Sequence, residues 1–377
     1  MTFSKSEYNT HQVFSYYFSG MKDPRRTNRG HHLYPFDEIL FLSISAVLSG
    51  MDDWTSINLF GRTKLSWLRQ YYPYRHGIPS HDVLGKVFAA LDPDEFSRCF
   101  SQWINSIAEI TGGEVIAIDG KTLRGSSRKA SGKSALHVVS AYASGNRLCL
   151  GQQVVDEKSN EITAIPALLK LLSIEGSTVT IDAMGCQTAI AEAIIDQQAN
   201  YVLAVKDNQQ ELKAQVEKVL SLHKQAELGI TLDAGHGRIE KRICQATDQL
   251  SFLDGREAWA GLKSIAKVVS ERTDKQSGKQ QSETRYYISS LPANPSIIGK
   301  AVRSHWAIEN NLHWSLDVIF KEDASLKKKG NAAKNYNIIV KMALAMLERE
   351  TQSKSSKPKK RQRAALDDEY RSFLLAG

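Results

Sequence analysis

No Cys-x-x-Cys pair occurs anywhere in the 377 residues, and the four cysteines, Cys99, Cys149, Cys186 and Cys244, stand far apart. That spacing argues against a zinc ribbon or finger. It also offers no disulfide framework, which fits a reducing compartment. A signal peptide is missing too: Met-Thr-Phe-Ser-Lys-Ser-Glu lacks the charged-then-apolar layout such a segment needs. The most apolar run, Ile39 to Leu48, falls short of the about 20 residues that cross a bilayer. A buried helix is expected there, in a soluble cytoplasmic protein with no membrane partner. Acids are in the minority, 41 against 49 Lys and Arg, for a formal net charge of +8. A basic balance suits a polyanionic partner and says nothing about fold.

Hydrophobic rhythm divides the chain. Residues 1–111 read as an all-helical domain. Phe36, Ile39, Leu40, Ile44 and Val47 recur at helical spacing, as do Phe96, Phe100, Trp103, Ile104 and Ile107. Pro79-Ser80 and Asp92-Pro93-Asp94 punctuate the helices. The helices flanking Pro73–Pro79 allow either a plain bundle or a helix-turn-helix with Arg62, Lys64, Arg69 and Lys86 facing phosphates. Residues 112–205 change to strands, in the order three strands, helix, strand, helix, strand. That order predicts a mixed α/β sheet covered by helices. Residues 206–298 look polar and irregular, with a helix from Gln209 to His223 and a closing strand from Arg285 to Leu291. Residues 299–350 read as two helices. Residues 351–377, with Lys354, Lys357, Lys359, Lys360, Arg361 and Arg363 close together, read as a basic, solvated tail.

Three acids sit where an acid is unexpected. Asp119 ends the apolar run Val115–Ile118, Asp182 ends Thr178–Ile181, and Glu309 lies within the helical pattern Arg303–Trp314. Each aspartate, taken alone, could serve only to bond the amides of the turn that follows it. Taken together, they matter more, because ligand sites in an α/β sheet lie outside the strand ends. If the first and fourth strands are neighbours, the two carboxylates meet, and a divalent cation relieves their repulsion. Oxygen-only ligands suit Mg2+, with Mn2+ as a substitute. Asp317, two turns past Glu309 on the same expected stripe, competes for the third-acid role. Lys121, Arg124, Arg128, Lys206, Lys327, Lys328 and Lys329 are candidates for contacting a nucleic-acid backbone, and a solvated surface charge is the alternative for each. Gly120-Lys121-Thr122 is not the end of a phosphate-binding loop, since Val115 stands where that loop needs glycine.

Several blocks resemble the H-repeat-associated insertion-sequence transposases. Ala117-Ile-Asp-Gly-Lys-Thr-Leu-Arg-Gly-Ser126 is similar to their first acid motif and Ile181-Asp-Ala-Met-Gly-Cys-Gln187 to the second. Tyr201–Gln209 and His236–Glu240 resemble intervening blocks, and Arg303–Asp317 continuing through Ala332 resembles the third. The tail from Arg363 to Tyr370 also fits, so the resemblance runs from about residue 10 to the end. It implies an RNase H-like catalytic core and a Mg2+-dependent DDE transposase, with Asp119, Asp182 and Glu309 in the acid roles. The implied partners are double-stranded DNA, both the element's inverted-repeat ends and a target, and a second copy of the chain on that DNA. The implied setting is the bacterial cytoplasm and nucleoid. Related transposases carry an arginine four residues before the glutamate and a lysine seven after; here those positions hold His305 and Leu316. An inactive DNA-binding descendant and a nuclease that cuts without joining remain as alternatives.

Overall fold

A computed structural model describes residues 16–25, 33–110, 112–127, 134–155, 160–222, 228–235 and 237–376. Arg26, Arg29, His31, His32, Arg128 and His236 lie outside the described residues.

The chain opens with α1 (Phe36–Leu48), buried from Glu38 onward. α2 (Trp54–Thr63) starts on Asp53, whose carboxylate accepts from the Ser56 amide, and a short helical turn, α3 (Leu65–Leu68), follows it. α4 (His81–Ala90) is capped by Ser80. α5 (Pro93–Ile107) carries both start signals read from the sequence. Asp92 accepts from the Asp94 and Glu95 amides, and Pro93 sits in the first turn. Its Phe96, Phe100, Trp103 and Ile104 turn inward.

A mixed sheet then begins with β1 (Val115–Leu123), β2 (Leu136–Ala143) and β3 (Leu148–Val155). Next come α6 (Glu161–Leu169), β4 (Thr178–Ile181), α7 (Thr188–Ile195) and β5 (Asn200–Val205). The strands lie in the order β3-β2-β1-β4-β5, with β1, β4 and β5 parallel to one another. This is the RNase H-like arrangement expected from the sequence. Val115–Ile118 and Thr178–Ile181 are buried at every position, which explains their unbroken apolar character.

The stretch read as irregular is instead an extension of the same sheet. After α8 (Gln210–Leu222) come β6 (Leu228–Gly235), β7 (Arg238–Thr247), β8 (Ser264–Asp274) and β9 (Gln280–Ser289). β9 pairs antiparallel with β5, so the full sheet has nine strands, ending β5-β9-β8-β7-β6. The far halves of these strands stand in solvent, and residues 280–284 of β9 are all exposed. They have no core face to impose alternation, so their pattern reads as loop.

α9 (Pro295–His305) runs on into two segments with the wider i→i+5 pattern, Ile308–His313 and Ser315–Ile319. The regular four-residue stripe expected through Glu309 is therefore broken at His305. α10 (Ala332–Arg349) is buried along most of its length and packs on α1, α4 and α5.

The tail is not free. It folds as α11 (Lys357–Leu366) and α12 (Asp368–Ala376), and Lys360, Arg361 and Arg371 are buried. Arg361 donates to the Ile319 carbonyl at 2.9 Å and the Val47 carbonyl at 2.8 Å, and it pairs with Asp52. Carbonyls left over at the ends of α1 and the 315–319 segment thus find donors in the tail. Of the residues that the helix-turn-helix alternative would turn toward phosphates, Lys64 pairs with Asp368 of the tail at 2.7 Å, and Arg69 donates to the nearby Tyr74 carbonyl. Among the described residues, no helix is long and apolar enough to cross a membrane.

Candidate active site

Strand pairing brings the two aspartates together. Ile118 of β1 lies opposite Ile181 of β4, so Asp119 and Asp182 follow as the next pair of positions. β1 does not end at Asp119, however; it continues to Leu123 against β2, with Asp119 opposite Ser140. The turn-capping role considered for Asp119 therefore has no turn to cap. Asp182 does cap: its carboxylate accepts from the Met184 amide at 2.9 Å. Glu309 reaches the same place from the wide-turn segment, with its side chain exposed. All three acids line one cleft of about 130 Å³, together with Thr180, Lys206, Arg285, His305 and Trp306.

Charge accumulates there. The Asp119 carboxyl is pushed up to about 7, first by burial and then by Glu161, Glu309 and Asp182. Among the described residues, no Lys or Arg pairs with Asp119, Asp182 or Glu309. His313 Nδ1 stands 3.7 Å from Asp119 Oδ2, but burial, followed by the nearby Lys341 and Lys121, drops the imidazole to about 3. It is neutral at ordinary pH and forms no ion pair. His305 is likewise pushed down to about 4 by burial, and its Nδ1 bonds Thr180 Oγ1 at 3.0 Å.

A hard divalent cation fits this donor set. The site gathers carboxylate oxygens, leaves them without a protein cation, and holds one of them half-protonated near neutrality. The ligands are not closed up, since among the described residues no three His, Cys, Asp or Glu side chains stand close enough to hold a metal as they are. Carboxylates that repel one another stay apart until a cation draws them in.

Two participants were missed in the sequence. Glu161, in the first turn of α6, bonds His137 Nε2 at 2.5 Å, and His137 Nδ1 bonds Thr122 Oγ1 at 3.0 Å. The bond to Glu161 raises the His137 pKa. The pair lies directly over Gly120: a Cβ there would fall inside both Glu161 Oε1 and His137 Nε2. The glycine following Asp119 was the available signal, because a strand-interior glycine marks a close approach.

The expected backbone-contacting residues divide. Lys121 is buried against acids, 2.8 Å from Asp317, 2.9 Å from Glu322 and 3.6 Å from Asp323, so it faces no solvent phosphate. Asp317 is thereby occupied with Lys121 and does not line the cleft. Lys327 sits between the Trp54 and Tyr336 rings, bonded to the Asp52 carbonyl, and its burial pushes the amine down to about 8. Arg124 lies loosely near Asp323 with 83% of its side chain exposed. Lys206 and Lys329 are exposed, and Lys328 is half-buried. Of the described members of the set, only Lys206 lines the cleft.

Comparison with known proteins identifies the family. Residues 15–104 match the family described as "DDE_Tnp_1-associated", and residues 110–346 match "Transposase DDE domain". The chain is 41% identical over 367 residues to "Putative transposase YncI" of Escherichia coli O157:H7, covering 96% of this chain and 93% of that protein. It is 39% identical over 370 residues to "H repeat-associated putative transposase YhhI" of Escherichia coli strain K12, covering 96% and 97%. The likeness spans the helical region, the sheet and the segment around Glu309, and so the chain belongs to the H repeat-associated group of DDE transposases.

Proposed function

We propose that this protein is an active, metal-dependent DNA transposase that cleaves at the ends of its element and joins the 3′-hydroxyls to target DNA. The observation that carries the reading is the unneutralised carboxylate cluster where Asp119, inside β1, meets Asp182, just past the end of β4, with Glu309 across the cleft. Asp119, Asp182 and Glu309 are the residues that would hold Mg2+, or Mn2+ in its place. When bound, such ions supply Lewis-acid stabilisation of charge on the phosphodiester and activate an oxygen nucleophile.

The protein's own groups prepare the site. The Met184 amide and the rigid β4 terminus fix Asp182. His305, neutral and bonded to Thr180, ties the end of α9 to β4 and so positions the segment bearing Glu309. Neutral His313 beside Asp119 leaves the carboxylate's charge available to a cation. Two DNA ends must be held together for joining, so a homodimer on DNA is part of the proposal.

Purified protein with Mg2+ and a labelled duplex carrying the terminal repeat that flanks the gene should nick that end. Asp119→Asn and Asp182→Asn should each slow nicking by more than ~100-fold, beyond the usual cost of losing an outer-shell partner. Both should still bind the duplex. Cutting at the parent rate by both variants would defeat the proposal.

A further inference from the structure

We propose that the four-stranded extension forms part of the DNA site: Arg285 on β9 and Lys206 after β5 make a seat for a phosphate beside the one being cut. This deepens the transposase reading and rests on it.

The register places the parts. Ile118, Ile181, Leu203 and Ile288 lie in one row across β1, β4, β5 and β9. One position beyond that row come Asp119, Asp182, Ala204 and Tyr287. Lys206 follows β5, and Arg285 lies two residues from Tyr287 on the antiparallel strand. Neighbouring strands are about 4.8 Å apart, so the cations sit two to three strand spacings, about 10–15 Å, from Asp119. Both line the same cleft as the three acids. The cleft thus runs from an acidic end to a basic end. A DNA strand with one phosphodiester at the acids would present a neighbouring phosphate to the cations.

Both cations are prepared for an anion. The Arg285 guanidinium lies 4.8 Å over the Trp306 ring. Its Nε and Nη2 donate to Glu283 at 2.8 and 3.2 Å. Glu283 and the Tyr287 side chain together use part of a five-donor fork, and the remaining N–H groups are left for phosphate. A plain intrastrand ion pair between Arg285 and Glu283 would need neither the stacking on Trp306 nor a place in the cleft. Lys206 is exposed and, among the described residues, has no carboxylate within ion-pair distance. The adjacent Asp207 is taken by Lys213 at 2.8 Å. The pairing of β9 with β5 is what delivers Arg285, which gives the inserted strands a part in catalysis.

The test is DNA binding without chemistry. In an Asp119→Asn background with Ca2+, anisotropy of a labelled 20-base-pair duplex is measured over a range of salt concentrations. Lys206→Gln and Arg285→Gln should each weaken binding several-fold and reduce the slope of log K against log salt by about one, the loss of one phosphate contact. Arg285→Lys keeps the charge and should restore the slope. Lys206 is exposed, so its variant has no core to disrupt. Parent-like slopes in both Gln variants would overturn the seat and leave the transposase reading standing. Failure of the parent protein to bind any duplex would sink both.

Discussion

At the residue scale, the site depends on what is absent at Gly120 as much as on the acids. The His137–Glu161 pair occupies the space a side chain would need. Gly120→Ala should force that pair or β1 to move, at about 1–3 kcal/mol, and a thermal melt would show it. Nicking should fall further than stability, because Asp119 is the adjoining residue; a variant with parent nicking and parent melting temperature would refute this. Asp119 itself links stability to pH. Its folded carboxyl is raised to about 7 from an ordinary value of 3.8. A raised carboxyl favours the fold fully below its unfolded pKa and loses that contribution as pH rises through the folded one. Without metal, Asp119→Asn should therefore be the more stable protein near pH 8, by a few kcal/mol at most, and the gap should close as pH drops toward about 4. Added Mg2+ should narrow the gap at about pH 8 by stabilising the parent alone. Melting curves at several pH values test both points.

At the scale of elements, legibility followed burial. Asp119 and Asp182 could be read because each ends an apolar run buried at every position, where a charge stands out. Glu161 and His137 could not: Glu161 opens a helix as many surface acids do, a single His in the apolar run of β2 carries no signal of its own, and only the fold brings α6 over Gly120. Most of β6 to β9 was hidden because the outer halves face water on both sides, whereas the buried inner end of β9 matches the closing strand read from Arg285. The tail misled for a different reason. Its lysines and arginines are spent on buried carbonyls and carboxylates, a use that composition cannot separate from solvation. Arg361 is the strongest case, with bonds to Val47, Ile319 and Asp52. Arg361→Ala strips Asp52 of its ion pair and the Ile319 carbonyl of its donor, although Tyr336 still bonds Asp52 and the Gly50 amide still bonds the Val47 carbonyl, and should cost about 3 kcal/mol. Urea melts measure it, and a change below about 1 kcal/mol would mean the helices merely rest there.

For the whole molecule, one continuous sheet joins the catalytic strands to the extension, and α9 crosses both, packing on β1, β4, β6 and β7. α10, α11 and α12 bind the N-terminal helices to the end of the chain. Cooperative unfolding in a single step is the expected result. Circular dichroism and tryptophan fluorescence, which reports from positions 54, 67, 103, 259, 306 and 314, should give coincident transitions. Two separated transitions would show that the extension or the helical region folds on its own.

The widened turns that carry Glu309 hold more residues per revolution than an ordinary helix does. That surplus is slack in the winding. Deleting one residue between 310 and 316 could be taken up by tightening to the common pitch, so the fold would survive. The flanks would then keep their orientation, and Glu309 and the Asp317–Lys121 anchor would both stay in place. The same deletion in the evenly wound α9 has no slack to draw on and would turn the flanks by about 100° relative to each other, so the protein would keep its shape while losing its aim.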